Sequence, residues 1–263
     1  WRRGEGLGSR LRQGWPDSGR KARHVTTRSG PGVFVIRDVR PTTGDEAKDW
    51  ITDRMKEYYT RPERAVEYRS HAAWSLRQLD DKFSLLKPDM VVVDLGCFPG
   101  GWSEVAIERT GASSSSSAMV IGVDMVQMDP LPNHTFVRGD VGDDATLAKL
   151  QEALGDRRAD IVLSDLAPPR VGLKQEDHLG SMQVCLQAAK VMERTLRLGG
   201  WFVAKTLWGP EQGNWRAYLN SRFKFVRTIK PAASRRVHAE MFYLCRGFLG
   251  RHSIAEEVQK SGL

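Results

Sequence analysis

Apolar strand-like runs alternate with helical stretches over most of the chain, and this alternation limits the possible folds more than any other feature. Seven runs rich in β-branched and aromatic residues have strand character: 90–95, 119–124, 135–140, 160–165, 201–206, 223–229 and 241–247. Helical patterns lie between them, near 102–111, 144–153, 178–197 and 211–220. Several runs are almost continuously apolar, as in strands covered on both faces. The sequence therefore predicts a doubly wound α/β domain with a mostly parallel seven-stranded sheet.

The segments at the two ends of the predicted α/β series, after its sixth strand and before its first, give further information on the fold. The last two predicted strands are separated only by residues 230–240, whereas a parallel crossover needs about a dozen residues or more. We therefore expect the last strand to be antiparallel. Before the first strand, residues 45–83 have a helical pattern with two apolar stripes, which Pro62 separates.

Composition divides the chain into three parts. Residues 1–44 are rich in Arg, Gly and Ser and too poor in apolar residues to fold alone, so they predict an extended basic arm. Residues 45–250 form the predicted α/β domain, and 251–263 a C-terminal tail. Residues 1–30 hold eight Lys or Arg and two Asp or Glu, which is +6 of the net charge of +8. Such an arm favours nucleic acid as a partner, although solvated tails and organellar transit segments share its composition.

The cysteines and the hydropathy exclude other classes of protein. Cys97, Cys185 and Cys245 are widely spaced and odd in number. They predict free thiols in a reducing compartment and no metal site. No apolar run reaches the length of a membrane span, so no membrane partner is expected.

A glycine-rich turn follows the first predicted strand, in the sequence VVVDLGCFPGGWSE at 91–104. Ligands of doubly wound sheets bind at the carboxyl ends of the strands. Gly100 and Gly101 open a helix at that end, where backbone N–H groups point outward. The turn has the form G-x-x-P-G-G and lacks the G-x-G-x-x-G of dinucleotide sites, which disfavours a pyrophosphate ligand.

Acidic residues end the next two predicted strands. The carboxylate of Asp124 suits the two hydroxyls of a ribose, and that of Asp140 suits an adenine amino group. Either acid alone could instead cap the helix that follows it. A glycine turn, a ribose acid and an adenine acid, in this order on three strands, predict a site for S-adenosylmethionine.

Four motifs together resemble the FtsJ/RrmJ family of RNA ribose 2′-O-methyltransferases: VVDLGCFPGGWSE, VDMVQMDP, LSDLAP and GGWFVAK. The similarity extends from about Trp50 to Gly247, and VDMVQMDP is similar to the bacterial and mitochondrial branch that acts on large-subunit rRNA. The resemblance implies a sheet of the S-adenosylmethionine-dependent methyltransferase type. The residues that we expect around this methyl donor are Asp94, Gly96, Pro99, Gly100, Gly101, Trp102, Asp124, Met125, Asp140 and Asp165.

The resemblance also implies a catalytic Lys-Asp-Lys-Glu tetrad. Its last three members match Asp165 in LSDLAP, Lys205 in FVAK and Glu240 before MFYLCRG, while Ser75 stands where the first Lys is expected. A lysine amine must be neutral to accept the proton of a ribose 2′-hydroxyl. A second ammonium nearby favours that neutral form, and carboxylates oppose it. Because the three remaining members carry −1 in sum, we expect slow or absent catalysis unless His71, on the helical face of Ser75, supplies a cation.

Candidate RNA contacts lie on both sides of the motifs. Arg69 and His71 flank the predicted helix, and Arg235 and Arg236 lie in the loop before the last strand. Contacts to phosphate from these residues would position RNA without reading its sequence. Trp102 and Trp208 are interpreted as packing residues rather than base-stacking platforms.

Two functions stay open from the sequence. The first is 2′-O-methylation of a uridine-type ribose in rRNA of the large ribosomal subunit or its precursor. The second is a catalytically impaired methyltransferase-like protein that binds RNA as a ribosome assembly factor, which Ser75 and the basic arm favour. A small-molecule or protein methyltransferase is disfavoured by the Asp-Lys-Glu set. We expect a monomer outside the ribosomal particle, in the mitochondrial matrix, or in the cytoplasm if the source is bacterial.

Overall fold

The structure is a computed structural model that describes Thr52 and residues 68–169, 172–230 and 240–250. Four predicted features lie outside the described residues: the arm 1–44, the first helical stripe before Pro62 apart from Thr52, the loop with Arg235 and Arg236, and the tail 251–263.

Strands and helices alternate along this part of the chain. The strands are β1 (Val91–Leu95), β2 (Met119–Asp124), β3 (Thr135–Arg138), β4 (Ala159–Ser164), β5 (Leu196–Leu207), β6 (Phe223–Ile229) and β7 (Glu240–Phe248). The helices are α1 (Ala73–Phe83), α2 (Gly101–Thr110), α3 (Asp144–Leu154), α4 (Lys174–Thr195) and α5 (Gln212–Arg222).

The seven strands form one sheet in the order β3-β2-β1-β4-β5-β7-β6. Strand β1 is parallel to both β2 and β4, whereas β7 is antiparallel to both β5 and β6. The predicted sheet, mostly parallel with an antiparallel last strand, is confirmed. The strand order reverses between β1 and β4, and sheets of this kind bind ligands beside such a reversal, at the carboxyl ends of the strands.

Helices cover both faces of the sheet and give two apolar cores. On one face, α3, α4 and α5 pack against the sheet through residues such as Leu150, Met182 and Trp215. On the other face, α1 and α2 pack through residues such as Leu76 and Val105. Because the central strands are covered on both sides, β1 is buried at every position, which explains its unbroken apolar sequence.

Three element boundaries differ from the predictions in ways that affect the site. Strand β4 ends at Ser164, so Asp165 is the first residue of the loop that follows. Strand β7 begins at Glu240, which places that residue within the ladder. Strand β5 begins five residues earlier than predicted, at Leu196. It continues through Gly199, which has φ +76°, because the pairing of β5 with β4 shifts register there. Glycine tolerates this backbone without strain.

The three cysteines are buried free thiols, as predicted. Within the described residues, no helix is both long and apolar enough to span a membrane.

Candidate active site

The turn between β1 and α2 depends on glycine for steric reasons. Gly96 has φ +78°, and its N–H donates to the Val123 carbonyl at 2.8 Å, which ties the end of β1 to β2. A Cβ at this position would lie 3.0 Å from the backbone of Leu166. Gly100, with φ +117°, is the N-cap residue of α2. The turn therefore keeps its backbone close to the loops that follow β2 and β4, and a side chain there would separate them.

Asp94 is fully buried in β1 beside this turn. One of its carboxyl oxygens, Oδ2, accepts a hydrogen bond from the Ser103 hydroxyl at 2.7 Å. The other oxygen, Oδ1, has no hydrogen-bond partner within the described residues. Burial, assisted by the nearby charges of Asp165 and Asp124, raises the pKa of Asp94 to about 7. A buried carboxyl oxygen without a partner is costly and rare, and it suits a cationic or hydrogen-bond-donating group of a ligand.

Asp124 and Asp140 hold the loops at the ends of β2 and β3. Both oxygens of Asp124 accept backbone N–H groups, one from Phe98 at 3.0 Å and one from Val126 at 2.9 Å. Asp140 accepts the N–H of Gly142 at 2.7 Å through Oδ1. These are loop-capping contacts, and they fix the position of both carboxyl groups at the carboxyl end of the sheet. The roles of the two acids toward ribose and adenine stay predictions.

The structure brings Asp165 and Lys205 together at the carboxyl end of the sheet. The Lys205 Nζ lies 2.6 Å from Asp165 Oδ1, and it also donates to the Asp165 carbonyl at 3.1 Å. The side chains of Lys205 and Asp165 are only 13% and 17% exposed, so solvent screens this pair weakly. The N–H of Asp165 donates to the Leu95 carbonyl at 3.0 Å. The ion pair therefore lies directly beside the end of β1 and the glycine turn.

Glu240 lies on the same face of the sheet as Lys205. In the antiparallel ladder of β5 and β7, Lys205 is opposite Phe242 and Leu207 is opposite Glu240. Directly opposed side chains share a face, and so do residues two apart on one strand. Glu240 is therefore a diagonal neighbour of Lys205, as the predicted catalytic set requires.

Helix α1 places Ser75 on this face as well. Its buried Leu76 packs in the same apolar core as Phe242. The Trp102 indole N–H donates to the Ala72 carbonyl at 2.9 Å, and its ring lies 5.8 Å from that of Phe242. Ser75 lies in the first turn of α1, the helix that covers this face, and is half-buried. Trp102 is buried and packs, as interpreted from the sequence, so only its backbone can reach a cofactor.

Arg69 is engaged within the protein. Its guanidinium donates to the carbonyls of Asp129 and Pro130 at 2.7 and 2.8 Å, and its Nε lies 3.5 Å from a Glu104 carboxyl oxygen. Arg69 thus joins the segment before α1 to α2 and to the loop after β2, and only its remaining N–H groups could contact phosphate. His71, also predicted to contact RNA, is exposed.

A buried histidine that the sequence did not single out holds the loop after β5. This residue is His178 in α4, whose Nδ1 lies 3.0 Å from the Leu207 carbonyl, while its Nε2 accepts the N–H of Glu211 at 3.0 Å. The carbonyl can only accept, so Nδ1 carries the proton. Nothing in the local pattern marks His178, because both partners are remote in sequence. The loop that it holds presents Trp208, which is 65% exposed, so the packing interpretation is wrong for that residue.

Comparison with known proteins identifies one family that the chain matches. The family model of FtsJ-like methyltransferases matches residues 68–248. The chain is 40% identical over 208 residues to the ribosomal RNA large subunit methyltransferase E of Parvibaculum lavamentivorans, covering 77% of this chain and 82% of the relative. It is 38% identical over 225 residues to the protein of that name from Mesorhizobium japonicum, covering 84% of each.

A solved structure agrees with the sequence relatives. A ribosomal RNA methyltransferase from Plasmodium falciparum is 37% identical, with a TM-score of 0.64, and the match covers 70% of this chain and all of that one. The chain belongs to the FtsJ-like methyltransferase family.

Proposed function

We propose that the protein is an S-adenosylmethionine-dependent methyltransferase that acts on the ribose 2′-hydroxyl of a uridine-type nucleotide in large-subunit rRNA. The observation that carries the proposal is the partly buried ion pair of Lys205 and Asp165, which lies beside the glycine turn at the strand-order reversal. The names of the relatives support rRNA of the large subunit as the substrate.

The residues at the end of β1 fit the methyl donor. The unpartnered Oδ1 of buried Asp94 suits the amino group of S-adenosylmethionine, and Gly96 and Gly100 let the turn pack closely against the loops after β4 and β2. Asp124, at the end of β2, would take the ribose, and Asp140, after β3, would take the adenine. When bound, this cofactor supplies the activated methyl group, and the protein supplies orientation and proton transfer.

Lys205 is the proposed general base. Its neutral amine would accept the proton of the 2′-hydroxyl as that oxygen attacks, and Asp165 would aim the amine by the contacts already present in the free protein. Glu240, on the same face, would hold the hydroxyl in line with the methyl group. Because Ser75 stands where the resemblance implies a second lysine, the site has one cation fewer than the full tetrad, and we propose that catalysis is slow.

The basic arm supports RNA as the substrate. With +6 of the net +8 charge in residues 1–30, the arm is proposed to dock rRNA of the large subunit or its precursor electrostatically. His71, Arg235 and Arg236 are proposed to contact phosphates nearer the site. The basic, acid-poor composition of the arm also underlies our proposal that a eukaryotic source uses the protein in the mitochondrial matrix.

Ribose-methylation mapping of rRNA tests the proposal. In cells that lack the protein, one 2′-O-methyl group of the large-subunit rRNA is expected to disappear. Wild-type protein should restore it, whereas a Lys205→Ala variant should not. If the methylation map is unchanged while subunit assembly fails, the protein is an assembly factor rather than an active enzyme. Methylation of a small molecule or a protein alone would contradict the proposal.

A further inference from the structure

A group of aromatic and arginine side chains lies outside the proposed active site. We call it the aromatic–arginine patch, and it lines a cavity of about 430 Å³. Its members come from the end of α1, from β5 and from the two strands at the edge of the sheet: Phe83, Trp201, Phe225, Arg227 and Arg246. Val226 and Leu244 complete the lining. The catalytic residues contribute nothing to this cavity, so it needs an explanation of its own.

The two arginines of the patch are stacked on rings rather than paired with acids. The guanidinium carbon of Arg227 lies 5.4 Å from the centroid of the Phe83 ring, and that of Arg246 lies 5.2 Å from the centroid of Trp201. In the part of the chain that the structure describes, neither guanidinium forms an ion pair with a carboxylate. Stacking leaves the N–H edges of a guanidinium available, and these edges match the geometry of phosphate.

Phe225 gives the patch an exposed apolar ring. Its side chain is 67% exposed, although it lies within β6 and directly opposite Arg246 in the ladder with β7. This large aromatic side chain lies exposed next to the Arg246 cation, whereas Phe223 of the same strand is buried. Proteins bind single-stranded nucleic acid with such combinations of exposed rings and cations, because every base has a face that can stack on an aromatic ring.

The patch lies on the face of the sheet that carries the proposed base. Trp201 and Lys205 are four residues apart in β5, and an even separation in a strand places both side chains on one face. The distance along the strand is about 13 Å. Strand β6 is the edge strand of the sheet, and β7 lies between it and β5. Val203 and Phe242 of this face are buried in the core that α1 and α2 cover, so RNA with its target ribose at Lys205 would reach the patch over the outside of this layer, with nucleotides that flank the target.

We propose that the aromatic–arginine patch binds the single-stranded RNA that flanks the target nucleotide, with Phe225 stacking on a base and with Arg227 and Arg246 bound to phosphates. This inference rests on the proposed function for its RNA substrate. It adds a second contact region, in which binding energy away from the reacting atoms holds the ribose in place.

Binding of a single-stranded oligouridylate of about 12 nucleotides to the full chain tests the patch. Phe225→Ala removes the stacking ring. The dissociation constant of this variant for the oligonucleotide is expected to rise about 5-fold to 100-fold, with the salt dependence unchanged. The double variant Arg227→Gln/Arg246→Gln removes two phosphate contacts. Its logarithmic salt slope is expected to fall by about 1.4, at ~0.7 for each phosphate of a single strand.

Lys149→Gln is the matched charge control. Lys149 is exposed on α3, which packs on the opposite face of the sheet, so this variant should weaken binding little. Far-ultraviolet circular dichroism and thermal unfolding establish that each variant is folded. Ultraviolet crosslinking of 4-thiouridine RNA to the wild type should label a peptide that contains Trp201 or Phe225, which is a readout independent of stability.

The outcomes separate the patch from the proposed function. If the wild type binds RNA and both patch variants bind it with the same affinity and salt slope as Lys149→Gln, the patch proposal is overturned and the proposed function stands. If the patch variants bind RNA normally but no longer bind intact large-subunit particles, the patch contacts a ribosomal protein, which also overturns it. If the wild type binds neither the oligonucleotide nor rRNA, the proposed function itself fails.

Discussion

At the residue scale, Asp94 combines full burial with a carboxyl oxygen that accepts no hydrogen bond within the described residues. Burial, together with the charges of Asp165 and Asp124, raises its pKa to about 7. The unfolded chain, in contrast, ionises this carboxyl near its ordinary value of 3.8. Between pH 3.8 and about 7 the folded protein therefore binds more protons than the unfolded chain, and its stability depends on pH.

The variant Asp94→Asn tests this linkage. The stabilising contribution of Asp94 is fully present below about pH 4 and is lost as the pH rises from there through about 7. Asn stays neutral, so the melting temperature of the variant should exceed that of the wild type at pH 8 and approach it at about pH 4. Thermal unfolding at several pH values measures the difference. A variant that is less stable than the wild type at both pH values would contradict the assignment.

The same residue predicts how binding of the methyl donor depends on pH. The cationic amino group of S-adenosylmethionine favours the ionised form of Asp94. The affinity of the wild type for S-adenosylmethionine should therefore rise with pH below 7. The rise is at most about tenfold per pH unit, because a single proton is lost. Calorimetry in two buffers of different ionisation enthalpy should detect the released proton. Asp94→Asn should bind weakly at every pH, and equal pH profiles for the two proteins would argue against contact with the amino group.

The third prediction at this scale concerns Ser75 and Lys205. Ser75→Lys would supply the cation that the predicted tetrad has at this position. Its methylation rate should therefore rise about tenfold. Ser75→Met is the control of similar length without charge, and Lys205→Ala should remove the activity. If the wild type is fully active at pH 7 and His71→Ala leaves its rate unchanged, another cation completes the site.

At the element scale, the start of α2 is held against the segment before α1. A Cβ at Gly101 would overlap with the Ser70 hydroxyl and would lie 3.1 Å from the Ser70 Cβ. The Arg69 N–H donates to Glu104 of α2 at 2.7 Å in the same contact. The glycine turn and the helix that carries Ser75 thus form one packed unit, although they are separated by the whole of β1.

Gly101→Ala tests this contact. The added methyl group would push the Ser70 segment away and lower the free energy of unfolding by about 1–3 kcal/mol, as overpacking of an ordered site does. Ser70→Ala removes the overlapping hydroxyl, so the double variant should recover part of the loss. Chemical denaturation of the wild type, both single variants and the double variant gives the coupling. Additive effects would show that the two positions do not touch.

At the scale of the whole molecule, charge is distributed unequally between the arm and the domain. Residues 1–30 carry +6 of the net +8, so the α/β domain is close to neutral overall. Long-range attraction to RNA should therefore come mainly from the arm, and local contacts from the domain.

Replacing the eight Lys and Arg residues of 1–30 by Gln tests the role of the arm at constant length. Affinity for rRNA should fall, and the logarithmic salt slope should flatten by about 0.7 to 0.9 for each phosphate that the arm no longer neutralises, because fewer counterions are released. Binding of S-adenosylmethionine is the control and should not change. An unaltered salt slope would identify the arm as a solvated tail.

The fold was predictable from the sequence because its signals are local. All seven strands and the antiparallel last strand follow from β-branched runs and connection lengths, and the boundaries of β2 and β6 agree with the prediction. The start of β5 was missed because Gly199 and Gly200 resemble a turn, whereas the pairing with β4 continues through them. Pairing with another strand is a tertiary contact, which no local pattern contains.

The sequence by itself determined the alternation of strands and helices, the glycine turn and the order of the acids, because strand period, helix period and backbone sterics act between near neighbours. Only the tertiary structure decided which groups meet. It paired Lys205 with Asp165 at 2.6 Å, directed the Arg69 guanidinium toward backbone carbonyls and raised the pKa of Asp94 through burial near the charges of Asp165 and Asp124. Desolvation and Coulomb interactions depend on distance in space rather than on separation along the chain.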